Sequence, residues 1–328
     1  IGAVLINDAQ DMQEKFTLFS DMVVFSSYAM QVVMSFMMLV MIFIMLPRAS
    51  VAAKRILEVL DTEPSIEDGT RDTFPVMKDG EVEFKDVSFK YPDAEEYVLE
   101  HISFSAKKGE TIAFIGATGC GKSTAINLIP RFYDATEGEV FVDGVNVKEY
   151  TQEALHNKIG YVSQKAILFS GTIADNVAYG ENGKAPATQD DIAMAVKVAQ
   201  ASEFVEKKDQ GYDGYVAQGG SNFSGGQKQR LSIARAIARQ PEILIFDDSF
   251  SALDYKTDRI LREALRKECK DATKIIVAQR IGTIRDADKI IVLDDGQIAG
   301  MGTHDELMKN CEVYQEIAYS QLSKEELA

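Results

Sequence analysis

Positive charge is scarce in this chain: 35 Lys and Arg stand against 51 Asp and Glu, for a formal net charge of −16. That balance argues against nucleic acid as a partner, because phosphate contacts need clustered Lys and Arg. Cysteine is nearly absent as well. Cys120, Cys269 and Cys311 are too few and too scattered for a disulfide framework or a zinc site, and they fit a reducing cytosol. No segment reads as a cleavable signal peptide, a low-complexity tract or an internal repeat. An initiating Met is missing too, which favours a fragment of a larger polypeptide. Against these absences, 46% of the 328 residues are hydrophobic, ample for a sizeable core, and the length suggests two domains.

One stretch lacks charge altogether. Met22–Pro47 runs 26 residues without Asp, Glu, Lys or Arg and is rich in Met, Val, Phe, Leu and Ile. As a helix it spans roughly 39 Å against about 30 Å of hydrocarbon, so a membrane span is favoured over a buried core helix. Arg48, Lys54 and Arg55 follow it and Asp8, Asp11, Glu14 and Asp21 precede it. The basic flank puts the C-terminal side in the cytoplasm. The apolar start Ile1–Ile6 reads either as the tail of a preceding span or as a frayed terminus. One span makes no translocation path, so residues 1–60 read as an incomplete membrane domain, complete over about 20–47. Helical spacing resumes over Val51–Leu60, and Asp61–Gly80, with Pro64, Gly69, Pro75 and Gly80, reads as a linker. A domain over 81–322 and a tail over 323–328 follow.

That domain reads as α/β. Short strands are expected at Val82–Phe84, Ile102–Ser105, Thr111–Ile115, Ile243–Phe246, Lys274–Val277 and Ile290–Leu293, with a hairpin at Glu139–Val142 and Asp143-Gly144. Helices are expected from Lys122 to near Pro130, over Ala187–Lys208, and over Gln227–Arg239 up to Gln240-Pro241. Apolar strands carrying Gly116 and Asp247 at their C-terminal ends suit a mostly parallel sheet with its ligand there.

The nine residues between those strands carry the chemistry. Gly116, Ala117, Thr118, Gly119, Cys120, Gly121, Lys122, Ser123 and Thr124 match the Walker A pattern in full. Its glycines let backbone N–H groups close around the β- and γ-phosphates of ATP at a helix N-terminus, where the dipole favours anions. Lys122 is expected to neutralise phosphate charge, Ser123 to ligate Mg²⁺, and Asp247 to partner Mg²⁺ either directly or through a bound water. About a hundred residues on stands Ser224-Gly225-Gly226-Gln227, followed by Lys228-Gln229-Arg230-Leu231-Ser232.

With these motifs the chain resembles the ATP-binding cassette (ABC) transporter family, from roughly Glu81 to its C-terminus. The resemblance implies a P-loop NTPase cassette with a mixed-sheet core and a helical subdomain. It also implies head-to-tail pairing, each ATP held between the Walker motifs of one cassette and the Ser-Gly-Gly-Gln signature of the other. Ser224, Gly225, Gly226 and Gln227 carry that signature intact. By the same resemblance Tyr91 stacks on adenine, Gln164 touches Mg²⁺ and senses the membrane domain, and Ser251–Asp254 crosses the dimer interface. Tyr215–Gly220 corresponds to a coupling segment of exporters.

Two positions depart from the family pattern. The general base, a Glu after the Walker B Asp, is Asp248 here, and the switch histidine is Gln279, in Ala278-Gln279-Arg280. Asp is one methylene shorter, and a misplacement of about 1 Å can cost about 100-fold in rate. Losing one donor to the γ-phosphate costs roughly 10²–10³-fold. His101, His156 and His304 supply no replacement switch; all three read as structural or surface residues. The paired departures resemble the degenerate-site subunit of a heterodimeric multidrug exporter. That implies a second half-transporter with the consensus Glu and His, a hydrophobic or amphipathic cargo, and residence in the cell membrane with the cassette in the cytoplasm. Harmless drift with activity retained, a slow homodimeric exporter, and a regulatory ATP-binding protein acting by dimerisation are the competing readings. A soluble cassette ATPase acting on DNA or ribosomes fits neither the acidity nor the span. Within the span, Met30, Met34, Met37, Met41 and Met45 form one stripe and Ser27, Gln31 and Ser35 another. The Met stripe reads first as lipid contact and packing, ahead of a pliable cavity wall; for the polar stripe, glue between helices and cavity wall stand level.

Overall fold

The computed structural model describes residues 1–72 and 79–321. Residues 73–78 of the expected linker and the expected tail, 323–328, lie outside the described residues. The chain divides into two compact units, Ile1–Ser65 and Ile66–Ala328.

The first unit is helical. A short helix, Gly2–Asp8, precedes one of 49 residues, Met12–Leu60, and neither buries a residue. The long helix extends past the uncharged stretch on both sides: it starts at Met12, taking in Glu14, Lys15 and Asp21, and it runs through Pro47 without the pause that resumed spacing at Val51 implied. A proline removes one backbone donor and crowds the carbonyl four residues earlier. The flanking Met, Leu, Ala and Arg are strong helix formers, and they carry the helix across. Its length is roughly 74 Å, so the uncharged centre matches a bilayer core and the charged ends overrun it.

The second unit is built on a six-stranded sheet. From edge to edge its strands are Gln297–Gly302, Lys289–Asp294, Thr111–Gly116, Thr273–Val277, Ile243–Asp247 and Ile159–Val162. All neighbours are parallel except the first pair. The central strands are runs of Ile, Val, Leu and Phe buried on both faces, as parallel strands covered on both sides must be. One face packs on an antiparallel sheet with strand order Leu99–Ala106, Val82–Phe89, Glu137–Val142 and Val145–Asn146. There Phe104 stacks on Phe84 and meets the edge of Phe114, joining the two sheets. The expected hairpin is present, Val142 facing Val145 across Asp143-Gly144.

The other face packs on a helical layer that includes Ile173–Val177, Gln189–Val198, Ser202–Glu206 and Gly225–Ala238. Three of these helices open with a capping box: Thr172 with Asp175, Thr188 with Asp191, and Ser224 with Gln227. The helical stretch expected over Ala187–Lys208 is two helices, divided where Gln200 takes a left-handed backbone (φ 57°). The helix Tyr255–Glu268 and the final pair His304–Asn310 and Glu312–Gln321 are further elements that the sequence pattern had not marked.

Candidate nucleotide site

Register across the sheet sets the site. Phe114 and Asp247 both pair with Val277 from opposite sides, so the strand ends carrying the phosphate loop and the acidic pair lie level with each other, flanking the end of Thr273–Val277. The chain leaves at Gly116, where a Cβ would stand 2.0 Å from the Leu293 carbonyl oxygen, so only glycine lets the loop turn so close to its neighbour. Gly119, at the tip with φ +90°, has nothing within 4 Å of its Cβ position. The loop is thus tightly packed behind and open in front, as a phosphate cradle requires.

Lys122 opens the helix Lys122–Asn127 and is nearly buried. Its Nζ donates to the carbonyls of Gly116 (2.9 Å) and Ala117 (2.6 Å), with the Cys120 Sγ at 3.5 Å. Those contacts hold the ammonium over the cradle, within reach of an anion there. The Ser123 hydroxyl donates to Asp247 Oδ1 at 2.6 Å. A hydroxyl and a carboxylate in contact beside a phosphate cradle form a hard-oxygen donor set that suits Mg²⁺ better than a softer metal. Tyr161 adds a contact that the motif reading missed: its hydroxyl donates to Asn127 Oδ1 (2.9 Å) and to Asp247 Oδ2 (3.4 Å). Burial, with the Asp247 charge nearby, pushes the Tyr161 phenol up, so it stays a donor at neutral pH.

The next carboxylate is held differently. Asp248 is buried, takes a left-handed backbone (φ 44°), and donates its N–H to the Val277 carbonyl. Its Oδ2 accepts from the amide nitrogens of Gln164 (3.2 Å) and Gln279 (2.8 Å). Both departures from the family pattern therefore touch each other. Burial pushes the Asp248 carboxyl up, the Gln164 amide pulls it back, and the adjacent Asp247 charge adds to the rise.

Around this centre the other expected residues are placed as follows. Tyr91 shares a hydrogen bond with the Thr124 hydroxyl (2.9 Å) and meets Phe89 and Tyr133 edge to face, which sets its ring beside the end of the phosphate loop. Ser224 and Gly225 are exposed at the start of their helix, while Gly226 packs against the loop Ser251–Asp254, its Cβ position 3.2 Å from the Ala252 carbonyl. Among the described residues, no hydrogen bond joins this signature turn to the phosphate loop. Tyr215 pairs with Thr172 in a two-stranded ribbon, and the Asn222 amide closes the following turn. His101 contacts Asp86, His156 the Pro130 carbonyl and His304 the Tyr314 hydroxyl, and none reaches Asp248.

Further positioning residues emerge only from the fold. Arg280 donates to the carbonyls of Ser251 (3.0 Å) and Leu253 (3.1 Å), bracing the loop against which Gly226 rests. Buried Gln229 reaches from the signature helix to the Ser163 carbonyl (3.2 Å), next to Gln164. Arg280 and Gln229 each stand inside or beside a motif, which was the only signal the sequence offered.

Known proteins agree with this geometry. Residues 99–251 match the ABC transporter family. An uncharacterized ABC transporter ATP-binding protein of Mycobacterium tuberculosis is 46% identical over 301 residues, covering 92% of this chain and 51% of that protein. An ATP-dependent lipid A-core flippase of Haemophilus influenzae is 42% identical over 276 residues, 84% of this chain and 46% of the flippase. A solved bacterial Atm1-family ABC exporter with ATP bound superposes with a TM-score of 0.81 at 33% identity, over 93% of this chain and 53% of that one. The chain thus spans about half the length of these relatives. By fold, motifs and likeness together, the chain carries an ABC-transporter nucleotide-binding domain, preceded in sequence by a long apolar helix and similar to that of exporters.

Proposed function

We propose that this chain is the ATP-binding subunit of a membrane exporter for multidrug or lipid-like cargo, that its own ATP site turns over slowly, and that its signature completes the faster site of a partner subunit. The observation that carries the reading is the Asp248 carboxylate, gripped at one oxygen by the amides of Gln164 and Gln279. A base must offer a free lone pair to a water aligned with the γ-phosphate. Here the side chain is a methylene short, and two neutral amides occupy the oxygen that faces the switch position. The flippase likeness supports amphipathic cargo, and the apolar helix supports a membrane setting.

Bound Mg²⁺-ATP supplies the triphosphate and a divalent charge. The chain's residues would do the rest: Lys122 would offer its ammonium to phosphate oxygens, Ser123 and Asp247 would hold the metal, and Tyr161 keeps Asp247 oriented. Gln164 reports occupancy because it already shares Asp248 with Gln279. Exposed Ser224 and Gly225 offer their helix-end N–H groups to a triphosphate bound on the partner. The partner carries Glu and His where this chain carries Asp and Gln.

The test is to install Asp248→Glu together with Gln279→His in the assembled transporter. Turnover at this chain's site should rise by about 10²-fold or more. Unchanged turnover and unchanged ATP retention on this chain would sink the slow-site reading.

A further inference from the structure

The helix Glu312–Gln321 buries Tyr314 and Ala318 against the core, and the Tyr314 hydroxyl is fastened to His304 Nδ1 at 2.7 Å. Gln321 follows one turn after Ala318, at the exposed end of the helix. Its side-chain amide bridges the backbone just past the strand Thr273–Val277: Nε2 donates to the Gln279 carbonyl (2.8 Å) and Oε1 accepts the Ile281 N–H (3.0 Å). The bridge brackets Arg280. Gln279 grips Asp248, and Arg280 holds the carbonyls of Ser251 and Leu253, so one side chain stands behind both contacts.

We infer that Gln321 is a positioning residue for nucleotide retention, its amide holding the Gln279–Ile281 backbone so that Gln279 and Arg280 keep Asp248 and the Ser251–Asp254 loop in place. This rests on the site proposed above as the ATP site. No ligand contact is assigned to Gln321, which acts through the backbone of its neighbours. The last described helix therefore belongs to the site's support, although it is distant in sequence from every motif.

Gln321→Ala removes both hydrogen bonds; Gln321→Glu keeps the acceptor for Ile281 and removes the donor to Gln279. Ser320→Ala, whose hydroxyl among the described residues bonds only the Ile317 carbonyl of its own helix, is the control. Two readouts are taken on the complete subunit in its membrane assembly. One is amide hydrogen exchange, without nucleotide, over residues 248–255 and 279–284. The other is retention of 8-azido-ATP on this chain during a chase with ATP. Gln321→Ala should speed exchange in both segments and release the label up to about tenfold faster, the effect of two ordinary hydrogen bonds. Gln321→Glu should fall between it and the wild type, and Ser320→Ala should match the wild type. Faster exchange confined to 279–284, with wild-type release, overturns the proposal, as does Ser320→Ala behaving like Gln321→Ala. If wild-type protein retains no label yet Gln321→Ala still loosens 248–255, the slow-site reading fails while the positioning role stands.

Discussion

Asp248 and Gln279 are each ordinary residues, and only their contact makes them informative. Both departures were legible as letters, but the shared oxygen between them was not, because it depends on two strand ends lying side by side. The same limit hid Tyr161, whose hydroxyl reaches Asp247 across the sheet. The phosphate loop was more transparent, since glycine spacing there is a local backbone requirement. It also allows two glycines to be separated by experiment. Gly116→Ala would drive a methyl into the Leu293 carbonyl, and should lower the melting temperature through about 1–3 kcal/mol of overpacking or more. Gly119→Ala faces open space and adds only left-handed strain of about 1–2 kcal/mol, yet on the proposed function its methyl would intrude on the phosphate cradle. Thermal melts with and without Mg²⁺-ATP should show the larger basal loss for Gly116→Ala and a missing ATP-induced rise for Gly119→Ala. Equal basal melts would contradict this account.

Among whole elements, those with strong caps or long apolar runs were the easiest to read. The strands Ile243–Asp247 and Lys289–Asp294 declared themselves as runs of Ile, Leu, Val and Phe ending in Asp. The Ala187–Lys208 stretch did not show its break, because Gln200 in a left-handed turn carries no sequence signature of the kind glycine would leave. Pro47 misled in the opposite direction: a breaker by local rule was absorbed by a helix with good formers on both sides. The helix Gly225–Ala238 offers the cleanest test. Ser224→Ala removes the side-chain acceptor for the Gln227 N–H (3.3 Å) and should cost about 1 kcal/mol, read as a small drop in denaturant midpoint. Ser224→Asp keeps a capping oxygen but brings negative charge to the exposed turn. It should fold like the wild type and, on the proposed function, abolish turnover at the partner's site. Wild-type turnover with Ser224→Asp would count against a phosphate binding there.

For the folded unit as a whole, one pH response comes from a group outside the site. His304 is buried against the Tyr314 hydroxyl, and burial pushes its imidazole below the ordinary value of 6.5, with the nearby Arg285 charge acting the same way. The neutral ring is therefore the native form. Its stabilising contribution is complete above 6.5 and is lost as pH falls through the lowered native value. Melts taken from about pH 7.5 down to about pH 5.5 should fall more steeply for the wild type than for His304→Gln, and parallel curves would refute the assignment. Gln164 lies just past the edge strand Ile159–Val162, and Gln279 just past the more central Thr273–Val277. Their amides converge on Asp248 Oδ2, which works as a summing junction: a displacement arriving along either strand changes the grip available to the other. Two inputs from separate parts of the sheet are thereby reduced to one output, the freedom of a single carboxylate.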